Sequence, residues 1–139
     1  MSAPPRGPLN VVLVDDDETD ATSVQRAFER AGVESHVFFA GDALEGLKLL
    51  RSGSVPAKHL VLVDVNMPRM SGIEFLQALR GDPKLADTVV VVLSASRDAR
   101  DVREAYRLHA AGYLLKPSSS SEFLELISAL DRYWSSVEL

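Results

Sequence analysis

The stretch Leu9-Asn10-Val11-Val12-Leu13-Val14-Asp15-Asp16-Asp17 decides the fold. It is a dense apolar, β-branched run that stops abruptly in three acids. Apolar residues in succession, rather than in alternation, read as a strand buried on both faces, and such strands belong to parallel sheets covered by helices. Two further runs of this kind follow: Leu60–Val63, which ends in Asp64, and Thr88–Leu93, which ends in Ser94. His36–Ala40 and Tyr113–Leu115 are shorter strand candidates.

Helical stretches separate them. Asp17–Gly32 places Val24, Ala27, Phe28 and Ala31 on one face, with Asp17 as N-cap and Gly32 as the residue just past the C-terminus. Asp42–Arg51 has Asp42 and Glu45 at capping-box spacing, with Leu44, Leu47 and Leu50 expected inward. Ser71 and Glu74 repeat that spacing and open a helix to about Arg80, which Gly81–Pro83 breaks. Asp98–Ala110 is helical, and Ser119 with Glu122 opens a last helix through about Trp134. The pattern is (βα)₅, an α/β fold with a parallel sheet.

With 139 residues there is room for one domain. Residues 9–134 are expected to form it, Met1 to Pro8 to be a flexible tail, and residues 135–139 to be a C-terminal tail. The absence of cysteine excludes disulfides and thiolate metal sites. A net charge of −5 argues against bulk attraction to nucleic acid. No apolar run is long enough to span a membrane, and the N-terminus lacks the apolar core of a signal peptide, so a cytoplasmic protein is expected.

In an open parallel sheet, ligands gather at the carboxyl ends of the strands. That edge here collects Asp15 and Asp16, Asp64, Ser94 and Lys116. Carboxylates held together repel one another and invite a hard divalent cation with oxygen ligands. A small ligand set with room for a phosphate suggests Mg²⁺. A carboxylate can attack phosphorus to give an acyl phosphate, with the metal, Lys116 and Ser94 neutralising phosphoryl oxygens.

Four segments in order, Val14-Asp15-Asp16-Asp17, Asp64-Val65-Asn66-Met67-Pro68, Leu93-Ser94-Ala95 and Tyr113-Leu114-Leu115-Lys116-Pro117, resemble the CheY-like receiver domain of two-component response regulators over about residues 9–134. The resemblance implies a flavodoxin-like doubly wound sheet of strand order 2-1-3-4-5. It implies that Asp64 is phosphorylated by a sensor histidine kinase, and that Mg²⁺, with Mn²⁺ able to substitute, sits on Asp16, Asp64 and the backbone carbonyl of Asn66, with Asp15 holding it through water or supporting Asp16. Lys116 would pair with Asp64 and then with its phosphoryl group. Ser94 and Tyr113 would be the switch pair. The Lys116–Pro117 bond is expected to be cis, a form that costs only about 0.5–1 kcal/mol before proline.

The segment Ser94–Asp98, with Phe123, Leu130–Trp134 and the ending Val137-Glu138-Leu139, is similar to stand-alone receivers that accompany bacterial phytochrome kinases. That likeness implies a homodimer through the last helices and the C-terminal tail. No output domain is expected, so signalling would run through protein contacts, a further phosphotransfer or dimer formation.

Plainer readings stand beside these. Asp17 reads as a cap, Lys116 alone as a solvated loop lysine, and Tyr133 and Trp134 as either core or dimer seam. Asp15-Asp16-Asp17-Glu18-Thr19 also resembles the first motif of haloacid-dehalogenase-type phosphatases, with Asp15 as nucleophile and Asp17 as acid/base. That reading leaves Asp64 without a role and lacks a later acidic pair. A flavodoxin-type cofactor binder would need a phosphate-cradling loop where three acids stand. A degenerate receiver serving only as an adaptor would not need the full set Asp15, Asp16, Asp64, Ser94 and Lys116.

Overall fold

The computed structural model describes residues 8–136. Five strands, β1 (Leu9–Val14), β2 (Ser35–Ala40), β3 (Leu60–Val63), β4 (Val89–Ser94) and β5 (Gly112–Leu115), alternate with five helices. The helices are α1 (Glu18–Ala31), α2 (Ala43–Arg51), α3 (Gly72–Gly81), α4 (Ala99–Arg107) and α5 (Ser120–Ser136). The strands form one parallel sheet in the order β2-β1-β3-β4-β5, the expected flavodoxin-like topology.

Successive side chains of a strand point to opposite faces, and here both faces are apolar. Val12, Val14, Val61, Val63, Val90 and Val92 face a core built with Leu47, Leu50, Phe75, Leu76, Leu79 and Ala105 of α2, α3 and α4. Val11, Leu13, Leu60, Leu62 and Val91 face the opposite core, with Val24 and Phe28 of α1 and Phe123, Ile127, Leu130 and Trp134 of α5. The uninterrupted apolar strand sequences are thus two cores written in alternate letters.

The caps fall where the sequence places them. Asp17 accepts from the Thr19 amide, Gly32 takes the left-handed conformation that closes α1, and Ser71 with Glu74 makes the full reciprocal box. At α2 and α5 the second half of the box shifts by one residue. Glu45 accepts from the Gly41 amide, and Glu122 accepts from the Ser118 amide.

Four expectations are corrected. Leu44 points outward with 53% of its surface exposed. The buried stripe of α2 is Ala43, Gly46, Leu47 and Leu50, the i, i+3, i+4, i+7 set, and Leu44 stands beside it. The helix expected to reach Ala110 stops at Arg107. His109 adopts a positive φ there, and the Arg80 guanidinium takes up the Leu108 and His109 carbonyls together with those of Ala86 and Thr88. All described peptide bonds, Lys116–Pro117 included, are trans. Trans is the intrinsically preferred X–Pro isomer, and Lys116 reaches its partners from it. Ser135 and Ser136, expected in the tail, belong to α5. The rest of that tail, Val137–Leu139, and all of the N-terminal tail except Pro8 lie outside the described residues.

Of the two terminal aromatics, Trp134 is buried in the α1–α5 core while Tyr133 is 43% exposed. Lys58 also lies over the Trp134 ring, 5.7 Å from its centroid. Emptying a site this large should be costly: Trp134→Ala is expected to destabilise the protein by about 3–5 kcal/mol, read as a lower urea midpoint at unchanged slope.

Candidate functional site

Register fixes the site before any side chain is considered. Val14 pairs with Val63, Val63 with Val92, and Ser94 with Leu115, so the residues that follow come out on one edge. The ladder continues through them. The Asp15 amide donates to the Ala40 carbonyl, Asp64 to Val14, and Lys116 to Ser94. The charged side chains are therefore mounted on hydrogen-bonded backbone rather than on free loops.

The Lys116 ammonium crosses from β5 and lies 3.0 Å from Asp15 Oδ2, 3.0 Å from Asp64 Oδ2 and 2.6 Å from Asp20 Oδ2. Its three donors thus have three carboxylate partners. The other oxygens of the two buried acids are also bonded: Asp15 Oδ1 accepts from the Asp17 amide at 2.9 Å, and Asp64 Oδ1 from the Asn66 amide at 3.2 Å. Asp16 is exposed, and none of the ion pairs between described residues involves it.

Oxygens of Asp15, Asp16 and Asp64 lie within 4.8 Å of one another. Three hard oxygen donors at this spacing, one of them open to solvent, fit a divalent cation. Burial pushes the Asp15 carboxyl up to about 7, against the pull of the Asp17 amide and of Lys116. For Lys116, burial alone would lower the pKa. The bonds to Asp20, Asp64 and Asp15 outweigh it, and the ammonium is held well above its ordinary value.

A second chain of contacts leads away from the acids. Ser94 is fully buried at the end of β4, and its Oγ accepts from the Ser96 amide at 3.2 Å. The Tyr113 hydroxyl donates to the Ser96 carbonyl at 2.8 Å. The Tyr113 amide in turn donates to the Tyr106 hydroxyl of α4 at 3.1 Å. The expected pair Ser94 and Tyr113 thus meets at Ser96.

Sequence reasoning missed three residues. Asp20 was given no role from the sequence, although it stands in the first turn of α1, which begins at the site edge, and that position is the signal available. Tyr106 was given no role from the sequence. Gly72 opens α3 with its amide on the Val65 carbonyl at 2.9 Å, and a Cβ there would overlap the Asp64 carbonyl oxygen. The structure gives Asp17 the plain role: its carboxylate caps α1, which takes the proposed acid/base away from the phosphatase reading.

Two outcomes follow from this geometry. Gly72→Ala should cost about 1–3 kcal/mol in urea unfolding, because the backbone beside Asp64 has to give way. In metal-free protein, the raised Asp15 pKa means that the folded state holds a proton the unfolded state has released. The stabilising contribution is whole below about 4 and is lost as pH rises through about 7. The melting temperature of Asp15→Asn should therefore gain on wild type as pH rises from 4 to 7, and level off above; a constant difference would contradict the assigned burial cost.

Comparison with known proteins agrees with this edge chemistry. The profile described as response regulator receiver domain matches residues 11–128. Response regulator Rcp1 of Synechocystis is 27% identical, over 96% of this chain and 94% of its own. A probable chemotaxis protein CheY of Rhizobium etli is 33% identical, over 88% of this chain and 92% of its own. The phosphorylated cyanobacterial phytochrome response regulator RcpA superposes with a TM-score of 0.82 at 29% identity, covering 96% of this chain and 98% of that one. A Mn²⁺-bound form of Rcp1 superposes equally well, TM-score 0.82 at 27% identity, covering 95% and 99%. No described helix is long and apolar enough to cross a membrane. The chain belongs to the response regulator receiver family, as a receiver domain homologous to CheY and Rcp1 that acts in phosphoryl-dependent signalling.

Proposed function

We propose that Asp64 is the phosphoryl acceptor, that Mg²⁺ is the working cation, and that the donor is a phosphohistidine on a sensor kinase. The observation that carries this reading is the Lys116 ammonium, which touches Asp64 and Asp15 at once beside the acid trio. An Asp64 carboxylate oxygen attacks phosphorus, the P–N bond to the donor imidazole breaks with its electron pair staying on nitrogen, and an acyl phosphate remains. Mg²⁺, or Mn²⁺ in its place, would supply positive charge against the phosphoryl group's negative charge when bound. Asp15, Asp16, Asp64 and the Asn66 backbone carbonyl would hold it. Lys116 moves from the Asp64 carboxylate to the phosphoryl group, and the Ser94 hydroxyl donates to another of its oxygens. The protein turns over no other substrate in this reading.

Movement of Ser94 draws on the Ser96 amide and releases Tyr113, which links the site to the face made by α4, β5 and α5. A full population reversal, from 1:99 to 99:1, would take about 5.5 kcal/mol of differential stabilisation. The read-out face offers an apolar hollow of about 260 Å³ lined by Val91, Gly112, Leu114, Leu126, Leu130 and Tyr133. A second copy seated there through α5 and the C-terminal tail would form the homodimer. The likeness to the phytochrome response regulator RcpA supports a phytochrome-type histidine kinase as donor. A cytoplasmic setting is part of the same proposal. Neither nucleic acid nor membrane is a partner in this reading.

Intact mass after incubation with acetyl phosphate and Mg²⁺ tests the acceptor. A single phosphoryl adduct is expected in wild type, absent without the cation and absent in Asp64→Asn. An adduct that survives Asp64→Asn would overturn the assignment. Lys116→Ala should still bind Mg²⁺ but uncouple phosphorylation from the change around Tyr113, read by side-chain NMR; normal switching in that variant would remove Lys116 from the mechanism.

A further inference from the structure

Lys116 and a divalent cation draw on the same carboxylates. Asp15 and Asp64 each bond the ammonium at 3.0 Å, and both belong to the acid trio that fits a cation. Two cations cannot both take full charge from two shared acids. Asp20 stands apart from this competition. It makes the shortest of the three bonds to Lys116, at 2.6 Å, and lies outside the trio.

Its placement is rigid. Asp17 caps α1, the Asp20 amide bonds the Asp17 carbonyl at 3.1 Å, and the Asp20 side chain is only 17% exposed. Glu18, the other acid of that first turn, is exposed and has no ion pair among those between described residues. Favourable interaction with the helix dipole would be served by either residue. Only Asp20 reaches the ammonium.

We propose that Asp20 is a positioning residue that retains the Lys116 ammonium when a divalent cation draws on Asp15 and Asp64, so that cation and lysine occupy the site together. This rests on the reading of Asp15, Asp16 and Asp64 as cation ligands. With Asp20 in place, Lys116 yields two bonds and keeps its third, staying beside Asp64. Without it, the ammonium has only the cation's own ligands to hold and competes for them. Asp20 therefore helps cation binding by occupying the lysine, not by adding a ligand.

A double-mutant cycle on Mg²⁺ affinity, measured by calorimetry without any phosphoryl donor, separates these effects. Asp20→Asn is expected to weaken Mg²⁺ binding by roughly threefold to tenfold with Lys116 present, and by less than about twofold in the Lys116→Met background. Asp20→Glu should recover much of the loss. Equal weakening in both backgrounds would mean that Asp20 acts only as a nearby negative charge, and would overturn the proposal while leaving the cation site standing. No Mg²⁺ binding by wild type would instead remove the cation site and this inference with it. Running the cycle with Asp20→Ala as well guards against a folding defect of one variant.

Discussion

One ammonium stands against four carboxylates at the carboxyl edge of this sheet: Lys116 against Asp15, Asp16, Asp20 and Asp64. Two like charges about 4 Å apart repel by about 4 kcal/mol at an effective dielectric of 20. Such a cluster persists because strong backbone interactions hold its members in place. The amides of Asp15, Asp64 and Lys116 are bonded into neighbouring strands, and Val14 and Val63, just before Asp15 and Asp64, are fully buried. The two cores thus hold charge where charge alone would not stay. The unbalanced acidity suits a divalent cation, and in the proposed reading that cation offsets the repulsion between Asp64 and an incoming phosphoryl group.

How legible this was in the sequence differs by level. The sheet was readable because a strand buried on both faces leaves no room for polar alternation, and Val11–Val14, Leu60–Val63 and Val89–Leu93 are written that way. Helix starts were readable because Asp17, Ser71 and Ser119 carry capping chemistry within a few residues of themselves. Leu44 and the end of α4 were misread for one reason: each depends on what lies across space. A one-residue rotation of the α2 stripe is set by Val14 and Phe75 against Gly46. The carbonyls just past α4, those of Leu108 and His109, are claimed by Arg80, far away in the chain.

The site divides the same way. Asp15, Asp16, Asp64, Ser94 and Lys116 announce themselves because each ends or follows an apolar run. Asp20, Gly72 and Tyr106 do not, since an acid in a first turn, a glycine at a helix start and a tyrosine on a polar helix all have ordinary local explanations. What sets them apart is a partner: the Lys116 ammonium, the Asp64 carbonyl and the Tyr113 amide.

The direction in which the proposed charge change at Asp64 would travel is set by unequal anchoring. Helices α2, α3 and α5 each bury four residues and α1 buries three, whereas α4 buries Ala105 alone. Moving α4 therefore exposes little apolar surface, and elements with few buried contacts open at the lowest free energy. Its ties are mostly single hydrogen bonds: Tyr106 to the β5 edge, Arg80 to the carbonyls that follow it, and Ser96 to Asp101 in its first turn. Ser96 is also where Ser94 and Tyr113 meet. A rearrangement that begins at Ser94 has rigid, doubly packed sheet on one side and a lightly held helix on the other. In the proposed switch α4 is therefore the element that would move at least cost over an unchanged sheet, and the surface it alters would be the one a partner reads.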